Sequence, residues 1–400
     1  MEKRSFIFVF LLTMALSLMT EHTQAIPSFA RKYRLSCTTC HSPSVPKLKD
    51  YGDSFAGNGF RLEDEESPRF FVPAGDDKLS LIRDFPMAAR FDGFLAQNVN
   101  NSERADFQSP YILKLLTGGE LSDRISYYFY FLFYERGEIG GVEDAFLMYN
   151  NLFGIDFDVY LGQFQVSDPL FKRELRLTLE DYRPYIAQIG TSGINLSYDK
   201  GVMLTLGLET GTTIVGQIVN GNGIPEAENH VFDDDKYKDV LVRVSQGIGD
   251  QLSIGAFGYF GKEALANDAG EEITNEAFIF GPDITFAPSF MFEVNLQYIL
   301  REDSEVFPDM GSANPMQDVL TNGAIAEIIY SPKGDNSNFY FAGLLNYVES
   351  DFDPADYKSY TLHTGYIARR NVRLAAEISL VDKNQQDPFG VFSLGFVSAF

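Results

Sequence analysis

From Met87 to Phe400 the chain repeats one pattern. Stretches of about ten residues alternate apolar and polar positions and are broken by Gly, Pro, Asn and Asp. In 155–161, Ile155, Phe157, Val159 and Leu161 share one face, and Asp156, Asp158 and Tyr160 share the other. Phe292, Val294, Leu296 and Tyr298 oppose Met291, Glu293, Asn295 and Gln297. Val372, Leu374, Ala376, Ile378 and Leu380 oppose Arg373, Ala375, Glu377 and Ser379, and Leu204, Leu206 and Leu208 line one side of 202–209. A period of two predicts strands, so the fold class is all-β.

A sandwich would alternate too, and a propeller would show a longer repeat that is not visible here. Segments of about ten residues suit a transmembrane antiparallel β-barrel. The aromatic cluster Tyr127–Tyr134 suits an interfacial girdle, and the alternating apolar run 392–400 ending at Phe400 suits a closing barrel strand. Sixteen or seventeen segments fit between Arg90 and Phe400, and bacterial barrels use even numbers, so about 16 strands are expected. Such a barrel leaves an aqueous lumen unless something plugs it. Inward Asp, Glu, Asn and Gln agree with a wet interior, and outer-membrane lipid becomes the expected surroundings.

Ahead of this wall the chain changes character. Met1–Arg4 is basic, Ser5–Thr20 is apolar, and Thr23-Gln24-Ala25 offers small residues where a signal peptidase cuts. Residues 1–25 therefore read as a signal peptide and Ile26 as the mature N-terminus, an exported chain of a bacterial envelope. Residues 26–70 form a small separate segment, 71–86 a linker, and 87–400 the barrel. With 32 basic against 56 acidic residues the net charge is −24, which leaves no nucleic-acid partner because nothing would neutralise phosphates. The 45% hydrophobic content, with 36 Phe and 21 Tyr, excludes disorder.

Both cysteines lie in Cys37-Thr38-Thr39-Cys40-His41, the attachment pattern of c-type haem. Two thiols three positions apart reach the two vinyl groups of one haem, and the adjacent His41 sits under the iron as axial ligand. A redox CxxC needs no histidine. A zinc site needs four ligands, and no second Cys/His pair exists. Residues 26–62 are fewer than the roughly 40 that a lone domain needs. They contain no Met and no His besides His41, so Lys47, Lys49 and the amine of Ile26 are the only sixth ligands within reach of the segment itself. The haem segment is expected to plug or cap the lumen and borrow its shelter from the barrel.

Pro27-Ser28-Phe29-Ala30-Arg31, the Cys37–His41 run, Pro46, Leu48, Gly52, Phe55 and Gly59-Phe60 together resemble the N-terminus of fused monohaem cytochrome–porins of bacterial outer membranes, relatives of outer-membrane iron(II) oxidases. The barrel shares their architecture without an alignable motif. The resemblance implies one covalent haem c on Cys37 and Cys40 with His41 on the iron. It also implies electron transfer across the outer membrane between an extracellular donor or acceptor and a periplasmic electron carrier. With Fe(II) as donor the activity would be that of an iron(II):cytochrome c oxidoreductase. Lys32–Ser36 departs from the Gln-Thr-Gly-Met-type run of iron-oxidising members, so the haem and barrel carry over while iron stays open.

Candidate sixth ligands outside the segment are His363, which should face the lumen beside Leu362, Met203 on the polar side of its strand, Met87 just before the first strand, and His230 in a polar loop. Met291 also projects from a polar strand face. The acidic clusters 63–66, 233–235 and 271–272 read as solvated loops. The mixed-charge stretch from Gln163 through Arg176 reads as a loop able to fold into the pore. Two functions stay open: a haem conduit for electrons, or a solute porin with a haem-bearing plug or sensor. A secreted soluble β protein with a non-haem motif is a third, separable by detergent extraction.

Overall fold

The computed structural model describes residues 28–62, 71–72, 81–82, 85–100, 105–227, 229–233, 235–266, 272–289, 291–306, 317–384 and 386–400. The signal peptide and the acidic run 63–66 lie outside them, as do Glu271, Asp234 and most of the linker. Sixteen strands form a wall: β1 Met87–Asn98, β2 Ala105–Glu120, β3 Ile125–Glu135, β4 Val142–Tyr149, β5 Phe157–Gln165, β6 Tyr198–Gly207, β7 Thr212–Val219 and β8 Asp239–Ile248. The second half is β9 Leu252–Ala266, β10 Glu272–Ser289, β11 Phe292–Glu305, β12 Gln317–Tyr330, β13 Phe339–Ser350, β14 Tyr357–Arg369, β15 Val372–Lys383 and β16 Phe389–Ala399. Each pairs antiparallel with the next, and β16 returns to β1 with Leu394 opposite Leu95, closing the barrel and leaving no sheet edge.

The alternation sets the two faces. On β15, Leu374, Ile378 and Leu380 are exposed outward while Arg373, Glu377 and Ser379 are buried inward; on β11, Leu296 and Tyr298 point out and Asn295 and Gln297 in. Two expectations need correction. Strands outrun ten residues, reaching 16 in β2 and 18 in β10, so they project past the thickness that an apolar belt needs. The aromatic cluster of β3 is also no simple girdle. Phe129 and Phe133 are exposed outward, whereas Tyr130 is buried inward, because period two splits consecutive aromatics between faces.

The lumen is filled rather than wet throughout. Residues 166–197, between β5 and β6, fold inward as a plug. Tyr182, Tyr185, Ile194 and Leu196 of this plug pack against inward Met203, Leu241, Phe257 and Ile325. Along this part of the wall the inner face is apolar as well as the outer, which period-two reading had assigned to polar groups. Asp181 anchors the plug by accepting from Arg173 at 2.6 and 3.1 Å, with Arg136 and Arg176 each at 3.8 Å. Burial works against the Asp181 carboxylate, yet these guanidiniums hold it well below the ordinary range. Glu377 of β15 accepts the backbone N–H groups of Leu179 at 2.7 Å and Glu180 at 3.2 Å.

One rim carries short connections, such as 121–124, 249–251 and 370–371, together with the start of β1 and the end of β16. The plug and the 220–238 connection leave from the opposite rim.

Candidate functional site

Residues 28–62 cap the short-turn rim. They form three short helices, α1 Ser28–Tyr33, α2 Cys37–Cys40 and α3 Asp50–Gly57. Helix α2 is a single turn, which sets Cys37 and Cys40 on one face at i, i+3. Ser36 caps it by accepting from the Thr38 N–H at 3.3 Å, and the His41 N–H closes it on the Cys37 carbonyl at 2.9 Å. His41 then leaves the helix in extended conformation and bridges to Leu48, while the Lys49 N–H donates to the Cys40 carbonyl at 2.8 Å. Helix α3 lies so close that a Cβ on Gly52 would stand 2.3 Å from the Cys40 carbonyl oxygen. Only glycine fits there.

His41 Nδ1 lies 3.1 Å from the Pro46 carbonyl and 3.4 Å from that of Lys47. A carbonyl only accepts, so Nδ1 carries the proton and Nε2 keeps its lone pair. Burial pushes the imidazolium below its ordinary pKa despite these carbonyls, so the ring is neutral at pH 7. Both thiols are free, and burial pushes both above the usual cysteine value. A redox CxxC depends on a depressed thiol, which this site does not provide.

The cap has almost no core of its own. Phe29, Tyr33, Phe55 and Phe60 cluster, with Phe29 stacked on Phe60 at 4.8 Å and Phe60 on Tyr128 of β3 at 5.4 Å. Polar tethers do the rest. Lys47 Nζ donates to Glu327 of β12 at 2.9 Å and lies 3.6 Å from Glu293 of β11. Lys49 donates to Asp335 at 2.6 Å, Arg31 to the Met87 carbonyl at 2.6 Å, and Asn150 to the Gly57 carbonyl at 3.0 Å. Gly59, at φ +67°, leaves no room for a side chain against Ser126 and Asn150. Lys47 and Lys49 are thus committed to carboxylates.

Between cap and plug lies a cavity of about 1210 Å³. Cys37, Cys40 and His41 border it from the cap, Leu170 and Leu175 from the plug, and Met148 and Met203 from the wall. A cavity bounded by two free thiols at i, i+3 and a neutral imidazole with an open Nε2 suits a covalently held haem c. The thiols would take the vinyl groups, and His41 would ligate the iron. Among the described residues no three His, Cys, Asp or Glu side chains converge as a separate metal site.

The other candidates are scattered. His363 is buried and does face inward, but Glu377 accepts from or pairs with its Nδ1 at 2.9 Å and Tyr340 engages Nε2 at 3.4 Å, away from the large cavity. Met87 opens β1 with its side chain 44% exposed, on the face opposite cavity-lining Ala88. His230 lies exposed in its loop, and Met291 is exposed at a turn. Met203 is buried at the cavity wall, as is Met148, which pattern reading passed over inside an aromatic run. Asp233 pairs with Lys238, and Asp235 accepts the Ala264 N–H, so the described residues of that cluster brace a loop.

Neither a protein-family model nor a curated protein matches this chain. Solved structures do. The anion-selective porin from Comamonas acidovorans aligns at TM-score 0.56 and 13% identity, covering 79% of this chain and 99% of the porin. The outer membrane channel DcaP of Acinetobacter baumannii aligns at 0.54 and 13%, covering 79% and 97%. OmpT of Vibrio cholerae aligns at 0.53 and 13%, covering 79% and 99%. The chain therefore shares the fold of outer-membrane porins, a closed sixteen-stranded barrel.

Proposed function

We propose that this chain is an electron-transfer protein of the bacterial outer membrane, holding one covalent haem c between a cap and a plug inside a porin-like barrel. The observation that carries the reading is the meeting of Cys37, Cys40 and the open Nε2 of His41 at one cavity that barrel and plug complete. When bound there, haem c supplies a one-electron carrier alternating between ferric and ferrous iron. The chain's own part is to bond it through two thioethers, to ligate it through neutral His41, and to exclude solvent with Phe29, Phe55 and Phe60.

The exposed apolar wall and the fold likeness support a lipid setting. Barrels of that membrane carry short turns on the periplasmic side, which turns the cap toward a periplasmic electron carrier and the plug toward the extracellular donor or acceptor. The departure at Lys32–Ser36 leaves the donor open; with Fe(II) as donor the chain would be an iron(II):cytochrome c oxidoreductase. The test is the purified membrane fraction, read by spectrum with and without ferrous iron. Wild type is expected to show a covalent haem band, and Cys37→Ala and His41→Ala are expected to lose it while the barrel still folds. A wild-type fraction without that band sinks the reading. The second reading, a solute porin with the cap as plug or sensor, is favoured by the fold alone, and bilayer conductance separates the two.

A further inference from the structure

We infer that Arg373 and Arg370, at the β14–β15 turn, form a carboxylate-binding site in this cavity whose occupants are the haem propionates; the inference rests on the haem reading above. Arg373 is 8% exposed, borders the cavity, and donates through Nη1 to the Tyr340 hydroxyl at 3.1 Å, but its buried Nε has no partner. Among the described residues no carboxylate pairs with Arg373 or with Arg370. Of the other cations bordering the cavity, Arg90 is held by both oxygens of Asp92, Arg243 by Asp283, Lys114 by Tyr130, and Lys172 stands between Asp53 and Asp168, while Arg61 and Arg369 donate to backbone carbonyls. Glu377, four residues along on the same face of β15, is occupied by His363, Ser379 and two plug amides.

A buried guanidinium without a counter-ion is costly, and it selects for an anion with planar, bidentate geometry. The cavity is where such an anion would sit, since buried Arg373 and exposed Arg370 both line it. Both arginines line the same cavity as Cys37, Cys40 and His41. Haem c would be attached through its vinyl edge at Cys37 and Cys40, and its remaining polar groups are two carboxylates on the opposite edge of the ring. They are positioning residues, since they touch the side groups and leave the iron to His41.

The test compares the full-length wild type with Arg370→Gln/Arg373→Gln in detergent. Covalent haem per chain is counted first, then the ferrous fraction at one fixed ambient potential. The variant is expected to keep one haem per chain, because Cys37, Cys40 and His41 are untouched. Removing two cations beside the haem is expected to lower the ferrous-to-ferric ratio about tenfold, the scale of charge interactions in a partly buried site. A haem-loaded variant with an unchanged ratio overturns the propionate site and leaves the haem reading standing. A wild type without haem overturns the haem reading itself. Succinate supplies the last arm: saturable binding by haem-loaded wild type, lost in the variant, would show that the arginines hold a free carboxylate instead, and absence of such binding is expected.

Discussion

Lys47 of the cap reaches 2.9 Å from a Glu327 oxygen deep in the lumen, and the other oxygen of Glu327 takes the Tyr182 hydroxyl of the plug at 3.0 Å. Asn295 of β11 adds a third donor at 3.0 Å. A single fully buried carboxylate thus fastens cap, wall and plug together. Glu327→Gln is expected to free the cap at a cost of about 3–5 kcal/mol, since it leaves buried Lys47 facing no formal charge but that of Glu293. Limited proteolysis of the cap, read beside heat-modifiable mobility of the barrel, measures it. Lys47→Met in the same chain should recover much of the loss, because removing both charges is cheaper than removing one.

The same pair sets a pH response. Burial opposes the charge of Lys47, and Glu327 and Glu293 outweigh it, so its pKa lies above the ordinary lysine value. A cation whose folded pKa is raised contributes its full stability below the unfolded value, about 10.4, and loses it as pH climbs through the folded one. Cap protection should therefore be flat from neutrality to about pH 10 and decline beyond it. Glu327→Gln should flatten that decline; an undiminished decline would reject Lys47 as its cause.

Two glycines of α3 predict opposite outcomes. A Cβ at Gly52 meets the Cys40 carbonyl, whereas one at Gly57 meets nothing within 4 Å. Gly52→Ala should push α3 from the Cys37–His41 turn, cost about 1–3 kcal/mol by overpacking, and lower haem content per folded barrel. Gly57→Ala should leave haem content unchanged and stabilise the cap by about 0.5–1 kcal/mol. Haem stain normalised to folded barrel on a gel distinguishes them.

Axial ligation offers another contrast. His363 spends both ring nitrogens on Glu377 and Tyr340, while Met148 and Met203 border the cavity. His363→Gln should leave ligand-sensitive absorption bands in place, and Met148→Leu/Met203→Leu should shift them. Bands that move only in the histidine variant would reverse that assignment.

The plug governs solute flux. Wild type in a planar bilayer should conduct little, because Tyr182, Tyr185 and Ile194 fill the bore. Replacing residues 170–195 with a short glycine linker should raise conductance by roughly an order of magnitude, toward an unobstructed sixteen-stranded barrel. Equal conductance of the two chains would mean that the plug does not obstruct.

Much of the wall was legible because period two is imposed by the pleat and each strand had only to choose a face. Leu374, Ile378 and Leu380 against Arg373 and Glu377 came out as read. The spacing of Cys37, Cys40 and His41 along one helical turn was equally local, and the structure brings all three to one cavity, while the haem they would hold stays a proposal. What local pattern could not carry was the choice of partner across the lumen. Met148 looks like any residue of an aromatic strand until the cap closes over it. Met203, Leu241 and Ile325 make strands apolar on both faces, because the plug covers the inner one. The destination of Arg173 and Arg176 depended on Asp181, a few residues ahead in the plug itself, and that of Leu179 and Glu180 on Glu377, about two hundred residues away in the wall.

Glu327 also imposes an order on assembly. Its place on β12 does not exist until most of the cylinder has been laid down, and β12 follows the cap by some 280 positions. Lys47 is synthesised long before its counter-charge. On the haem reading proposed above, a group bonded through thioethers would stay with that early, unsheltered stretch until the cylinder closes over it.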